Sequence, residues 1–281
     1  MENRVYFLGA GPGDPELLTR RAERILQGCP VVYVPPLYDQ AFAELLDGKE
    51  LFVPFEYYFA DLIKMIMAQL EKTPVAFLVP GDLTFYSPFQ ALVDGLGELA
   101  VVVPGVGSAN AASALLKKTL DLPGACSRAV LASPRTLGDG PDAPTMADLA
   151  APGVTLVIYM NNLPLAELVR QLRTGYGKDV PIALAHKVGL PEEELIVATL
   201  DTIVASVGSR DFFNLEGPNP RPALTLILAG ESLSFDADSG WWDYRRDHIW
   251  KHRDKGSLDG ETEGQEPTAE QKESCTGEKL Y

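Results

Sequence analysis

Ten short apolar runs set the rhythm of this chain, and what separates them decides the fold. Five lie in the first half: RVYFLGA, PVVYVP, ELFVPF, VAFLVPG and AVVVPG. They alternate with the amphipathic stretches PELLTRRAERILQ, AFAELL, FADLIKMIMAQLEK and PFQALVDGLG, and the last leads into SANAASALLKKTL, whose alanines let a helix pack closely on a sheet. β-Branched runs bounded by turns read as strands, and helices between them make a mostly parallel, layered sheet. After the Pro/Gly break DLPGACSR come AVLASP, TLVIYM, PIALAHKV, LIVATL and ALTLILAG, with LAELVRQLRTG and LDTIVASVG as helices. Only GLPEEE separates PIALAHKV from LIVATL, so these two pair as a hairpin and the second sheet is mixed.

The expected architecture is therefore α/β, with two α/β domains, a mostly parallel sheet first and a mixed sheet second. The spans are 1–122 and 123–240, then an aromatic-basic terminal helix over 241–255 and a disordered acidic tail over 256–281. The helix, WWDYRRDHIWKHRDK, is expected to dock on one domain through its aromatics, with a dimer contact or a flap over a site as the other roles open to it.

Charge and cysteine usage exclude several classes. A formal net charge of −15 argues against binding a nucleic-acid backbone over a broad surface, but leaves room for a small anionic substrate where a few Lys or Arg converge. No apolar run approaches the roughly 18 residues of a membrane span. MENRVYFLGAG enters a strand at once and lacks the features of a signal peptide. Cys29, Cys126 and Cys275 are scattered, with no C-x-x-C, so a cytoplasmic protein without disulfides or zinc is expected. His248 and His252 have helical ligand spacing but no third ligand is evident, and no metal is expected.

GAGPGDP, directly after the first strand, invites a phosphate-binding reading. The dinucleotide spacing G-x-G-x-x-G would run Gly9, Gly11, Asp14, which puts a carboxylate where the pyrophosphate needs a small residue. Pro12 removes a further donor, and no Lys-Ser or Lys-Thr follows. A phosphate is not the expected guest. Four more polar turns, PGDLTFYSP, PGVGSANAA, YMNNLP and HKVGLP, follow other predicted strands, at the ends where open α/β sheets bind ligands. Together they suggest one ligand held largely by backbone between two domains.

In this order, VYFLGAGPGDPELLT, GDLTFYSPF, VVPGVGSANAASALL, IYMNN and PIALAHKVGLPEEELIVATL resemble the tetrapyrrole methylases, from about residue 4 to 233. The resemblance implies S-adenosylmethionine as cofactor, S-adenosylhomocysteine as product, a tetrapyrrole substrate and a homodimer. It carries cofactor contacts onto Pro12, Pro80, Gly81, Asp82, Phe85, Gly107, Ser108, Met160, Gly189 and Ala229. Direct in-line methyl transfer depends mainly on orientation and water exclusion, so no catalytic residue is named. A polycarboxylate substrate should meet Arg or Lys: Arg20, Arg21 and Arg24 on the first helix, or Arg128 and Arg135 in the second domain, with His186 at a strand end facing the cleft.

The segment HKVGLPEEELIVATL looks most like methylases acting at C-11 of precorrin-4 or its cobalt counterpart, in cobalamin biosynthesis. Leu83 stands where that subgroup usually has Pro, and FYSPF is closer to the enzyme acting at C-20 of precorrin-2. An RNA- or protein-directed methylase of the same fold and a non-catalytic tetrapyrrole- or cofactor-binding protein are the other readings open to the sequence.

Overall fold

The computed structural model describes residues 2–138, 140, 142–215 and 223–250. The first half contains β1 (Val5–Gly9), α1 (Arg20–Gly28), β2 (Val31–Tyr33), α2 (Tyr38–Ala41), α3 (Ala43–Leu46), β3 (Glu50–Phe52), α4 (Phe59–Leu70), β4 (Val75–Val79), α5 (Gln90–Leu96) and β5 (Ala100–Val103). All five strands run parallel in the order β3-β2-β4-β1-β5. β1 and β4 are buried along their whole length, as strands covered on both faces must be. Alternation divides them: Tyr6 and Leu8 pack under α1, α2 and α3, while Val5, Phe7 and Phe77 pack under α4 and α5.

The second half contains β6 (Arg128–Ala132), α7 (Met146–Leu149), β7 (Val154–Ile158), α8 (Leu165–Tyr176), β8 (Pro181–His186), β9 (Glu194–Thr199), α9 (Ile203–Val207) and β10 (Thr225–Ala229). The strand order is β6-β7-β10-β8-β9. β6 and β7 are parallel, whereas β10 lies antiparallel between β7 and β8. The β8–β9 hairpin pairs Pro181 with Thr199 and His186 with Glu194. Between the sheets runs α6 (Ser108–Leu116), whose buried Ala109 and Ala112 lie against Val157, Ala183, Ala185 and Leu228 of the second sheet.

Two local expectations are corrected. The stretch PELLTRRAERILQ is not one helix. Asp14 Oδ1 accepts the Glu16 N–H at 2.9 Å and closes a 3-10 turn over Pro15–Leu17. Leu18 is then extended, and Thr19 caps α1 by accepting the Ala22 N–H at 3.2 Å. The terminal helix, α10 (Ser239–Arg245), continues into a π-helical turn over Arg246–Trp250. Instead of docking through its aromatics, it leaves Trp241, Trp242 and Tyr244 exposed. Its apolar rings find local partners: Arg245 lies 4.1 Å from the Trp241 ring centre, and Tyr244 stacks on His248 at 4.4 Å. Residues 251–281, including the predicted tail and His252, lie outside the described residues.

Candidate active site

Three loops follow the carboxyl ends of β1, β4 and β5, and they are fastened to each other through their backbones. Gly11 N–H donates to the Gly81 carbonyl at 3.0 Å, and Gly81 N–H donates back at 2.7 Å. Ala10 N–H donates to Val79 O at 2.8 Å, and the Tyr38 hydroxyl donates to Gly11 O at 2.8 Å. A Cβ on Gly9 would lie 2.4 Å from Gly105 N, and one on Gly105 would lie 2.5 Å from Gly81 O. The loops approach so closely that neither position admits a side chain. The same geometry leaves the loop few amides for a phosphate. The amides of Ala10 and Gly11 are committed to the neighbouring loop, and Pro12 has none to offer.

Facing this floor across a cleft is the edge of the second sheet at which β7 and β8 end. Pro12, Pro80, Gly81, Asp82, Phe85 and Tyr86 line one wall. Gly107 and Ser108 bring the start of α6 to the cleft, while Tyr159, Met160, Ala185, Lys187 and Val188 line the other wall with residues 223–226. Tyr86 and Tyr159 meet across it with ring centres 5.1 Å apart. Backbone strain is concentrated here. Among the described residues six non-glycines have positive φ, and three of them, Tyr86 (55°), Met160 (47°) and Lys187 (48°), line the cleft. Such conformations cost about 1–3 kcal/mol each and persist where the surroundings enforce them. At Met160 the enforcing contacts are visible: Arg135 Nε donates to its carbonyl at 3.1 Å, and Tyr159 N–H donates to Ala132 O at 2.8 Å.

Asp82 is not a helix cap. Its carboxylate accepts from the Thr84 N–H at 2.9 Å and the Thr84 hydroxyl at 3.2 Å, while α5 begins only at Gln90. The carboxylate looks toward Gly107, where a Cβ would stand 3.9 Å from Oδ2. It also reaches Tyr159 electrostatically. Burial pushes the Tyr159 hydroxyl up to about 12; the Ala109 backbone works against that shift, and the charges of Asp82 and Tyr86 add to it.

The cleft thus brings together eight of the ten positions expected to hold a cofactor: Pro12, Pro80, Gly81, Asp82, Phe85, Gly107, Ser108 and Met160. Gly189 sits behind the wall. A Cβ there would meet Asp14 N at 2.9 Å, so the absence of a side chain lets the turn after β8 pack on the first loop. Ala229 is wholly buried, paired with Leu156 and Ile182, and its carbonyl accepts the Tyr176 hydroxyl at 2.8 Å. Because β10 runs against β7 and β8, its first residues reach the cleft and its last, Ala229, lies at the opposite edge of the sheet.

The expected substrate contacts fare differently. His186 does not line the cleft; strand alternation gives the wall to Ala185 and Lys187. Its Nδ1 lies 2.7 Å from Thr225 Oγ1, its ring meets Phe212 edge-on at 5.0 Å, and burial followed by the Lys187 charge holds its pKa below the usual value. Arg20, Arg21 and Arg24 share an exposed surface of α1 with Glu23 and Gln27, away from the cleft. Arg128 starts β6 and reaches toward Pro152 O, whereas Arg135 stands at the cleft edge beside Met160. Tyr38, Tyr86, Tyr159 and Lys187 were not singled out by sequence. Tyr86, Tyr159 and Lys187 sit within the flagged turns PGDLTFYSP, YMNNLP and HKVGLP, but nothing local marks Tyr38, which is brought in by packing.

Similarity to known proteins follows the same lines. Residues 4–204 match the family described as Tetrapyrrole (Corrin/Porphyrin) Methylases. The precorrin-4 C(11)-methyltransferase of Pseudomonas aeruginosa is 31% identical over 254 residues, covering 88% of this chain and 98% of that protein. Among solved structures, a cobalt precorrin-4 methyltransferase superposes with a TM-score of 0.70 at 23% identity, covering 83% of this chain and 97% of that one. The uroporphyrin-III C-methyl transferase of Thermus thermophilus, in complex with S-adenyl homocysteine, gives 0.59 at 26% identity, covering 82% and 98%. Matched in sequence across both sheets and in fold over most of its length, the chain belongs to the tetrapyrrole (corrin/porphyrin) methylases.

Proposed function

We propose that this chain transfers a methyl group from S-adenosylmethionine to a ring carbon of a tetrapyrrole, C-11 of precorrin-4 or its cobalt form. The observation that carries the reading is the chemistry of the cleft. Its first-sheet side is built on the close-packed backbone of Pro12, Pro80, Gly81 and Gly107, it contains one carboxylate, Asp82, and the Ala10 and Gly11 amides of its glycine loop are spent internally. Such a lining suits a cationic, phosphate-free cofactor and would repel a nucleotide. The bound cofactor would supply an electrophilic methyl on sulfur. Pro12, Pro80, Gly81, Asp82, Phe85, Gly107, Ser108 and Met160 would hold and orient it, while the Tyr86–Tyr159 contact narrows the cleft and limits water. Direct transfer to carbon makes little demand on a general acid or base. Gly189 and Ala229 act at one remove, by packing.

Identity to the Pseudomonas aeruginosa enzyme over nearly its whole length favours C-11. Similarity to a uroporphyrin-III methyltransferase favours as second reading a different macrocycle carbon, and the segment FYSPF points to C-20 of precorrin-2. We expect a cytoplasmic homodimer, for which exposed Phe55, Tyr58 and Phe59 offer apolar surface. The deciding experiment is calorimetric titration with S-adenosylhomocysteine. Binding by the wild type that weakens in Asp82→Ala supports the pocket; no binding by well-folded wild type overturns it.

A further inference from the structure

The edge of the second sheet at the cleft holds cations whose hydrogen-bonding capacity is not used up by the protein. Arg135 follows β6 and spends Nε on the Met160 carbonyl, leaving its two terminal nitrogens toward solvent. Lys187 follows β8 and lines the cleft on a backbone with φ of 48°; its ammonium has only a loose contact with Glu192, at 3.9 Å. Arg210, on the same side of the sheet, contrasts with both. It is spent on Glu194, Val207 O and Ser206 O. The nearby Glu193 is occupied by the Gly189 N–H at 2.8 Å.

Arg135 and Lys187 follow strands separated by β7 and β10, three strand spacings in all. That places their backbones on the order of 14 Å apart along the edge. Two cations carried on separate strands of one edge suit a broad ring with carboxylates on its periphery. The surrounding charge sharpens the point. In a chain of net charge −15 an approaching polyanion is repelled generally, so the few unspent cations decide its orientation.

We propose that Lys187 and Arg135 form a two-point carboxylate reader that fixes the orientation of the tetrapyrrole over the cleft. The inference rests on the methylase reading of that cleft. Lys187 lines the cleft from a left-handed turn at the end of β8, and Arg135 couples the reader to the Met160 turn through its hydrogen bond.

The test titrates an octacarboxylic porphyrin by fluorescence quenching, and S-adenosylhomocysteine by calorimetry, into wild type, Lys187→Gln, Arg135→Gln and Lys187→Arg. Each glutamine variant should lose about tenfold or more in porphyrin affinity and show a shallower salt dependence. Lys187→Arg should retain most of the affinity, and S-adenosylhomocysteine should bind both Lys187 variants within about threefold of wild type. Unchanged porphyrin affinity in Lys187→Gln would overturn the proposal. So would a parallel loss of S-adenosylhomocysteine affinity, which would assign the ammonium to the cofactor. So, too, would a wild type that binds S-adenosylhomocysteine but no porphyrin. A wild type that binds no S-adenosylhomocysteine would instead sink the methylase reading beneath it.

Discussion

The two walls of the cleft are built by different means. The first-sheet wall is fastened through its backbone, with Asp82, Phe85 and Tyr86 set on it: Gly11 and Gly81 exchange hydrogen bonds, and Gly9, Gly105 and Gly81 touch main chain to main chain. The second-sheet wall is made of side chains, Tyr159, Met160, Ala185 and Lys187, two of them on left-handed turns. A wall fastened by its own amides is rigid and indifferent to side-chain identity, provided that no Cβ intrudes. A wall of projecting side chains can change what it accepts by substitution. The first is suited to a constant ligand and the second to a variable one.

The largest effect expected from this contrast is on stability. Gly105→Ala forces a Cβ to within 2.5 Å of Gly81 O, and the clash is with backbone that has nowhere to move. We expect a loss of about 2–4 kcal/mol in urea denaturation. A loss below about 1 kcal/mol would mean that the three loops are not locked together.

Next comes the one charge in the backbone wall. Asp82→Ala should weaken S-adenosylhomocysteine about 10- to 100-fold, the worth of a charge-assisted hydrogen bond. Its thermal midpoint should change little, because Asp82 caps no helix and only closes a turn on Thr84. A large fall in midpoint with unchanged affinity would reverse the roles assigned to the two walls.

A smaller effect, of opposite sign, is expected on the second wall. Lys187→Gly removes the strain at φ 48° and should stabilise the fold by about 1 kcal/mol while weakening tetrapyrrole binding. If denaturation shows no gain, the left-handed turn is not strained and the stability–function trade-off on this wall disappears.

The smallest effect lies behind that wall. Burial, then Lys187, holds the folded pKa of His186 below its unfolded value near 6.5, so the unfolded state takes up the proton first. The stability that neutral His186 contributes is present above that unfolded value and declines as pH falls through 6.5 toward the lower folded pKa. His186→Asn should therefore flatten part of the fall in thermal midpoint between about pH 7 and pH 5.5, and leave S-adenosylhomocysteine affinity unchanged. A change in that affinity would put the imidazole in the cleft after all.

Much of this was legible in the chain. All ten strands fall on the β-branched runs, because period and length are local properties. The mixed second sheet followed from the short GLPEEE link, since six residues cannot carry a crossover. The exclusion of phosphate was legible in Asp14 and Pro12, although the sequence did not show that Gly11 would give its amide to Gly81. The helix after that loop was read too long because a 3-10 turn and an α-helix share an amphipathic pattern until Asp14 and Thr19 each claim an N–H. The terminal aromatics read as a docking surface, but Trp241 pairs with Arg245 and Tyr244 with His248, within the helix itself.

By itself, the sequence determined the layered α/β class and the polar turns after the strands, and the resemblance of its motifs pointed to the family. Run length, turn composition and motif order are properties of the chain, which folding does not alter. Only the tertiary structure decided which residues of those turns face the cleft. A strand's direction within a sheet is set by its neighbours, so Thr225 and Leu226, not Ala229, arrive at the site. A side chain's face is set by register, so Lys187 enters the cleft and His186 turns away. Tyr38, far from every motif, reaches Gly11 because α2 packs beneath the first loop. Contacts between distant segments depend on how two sheets meet, and no local pattern encodes that.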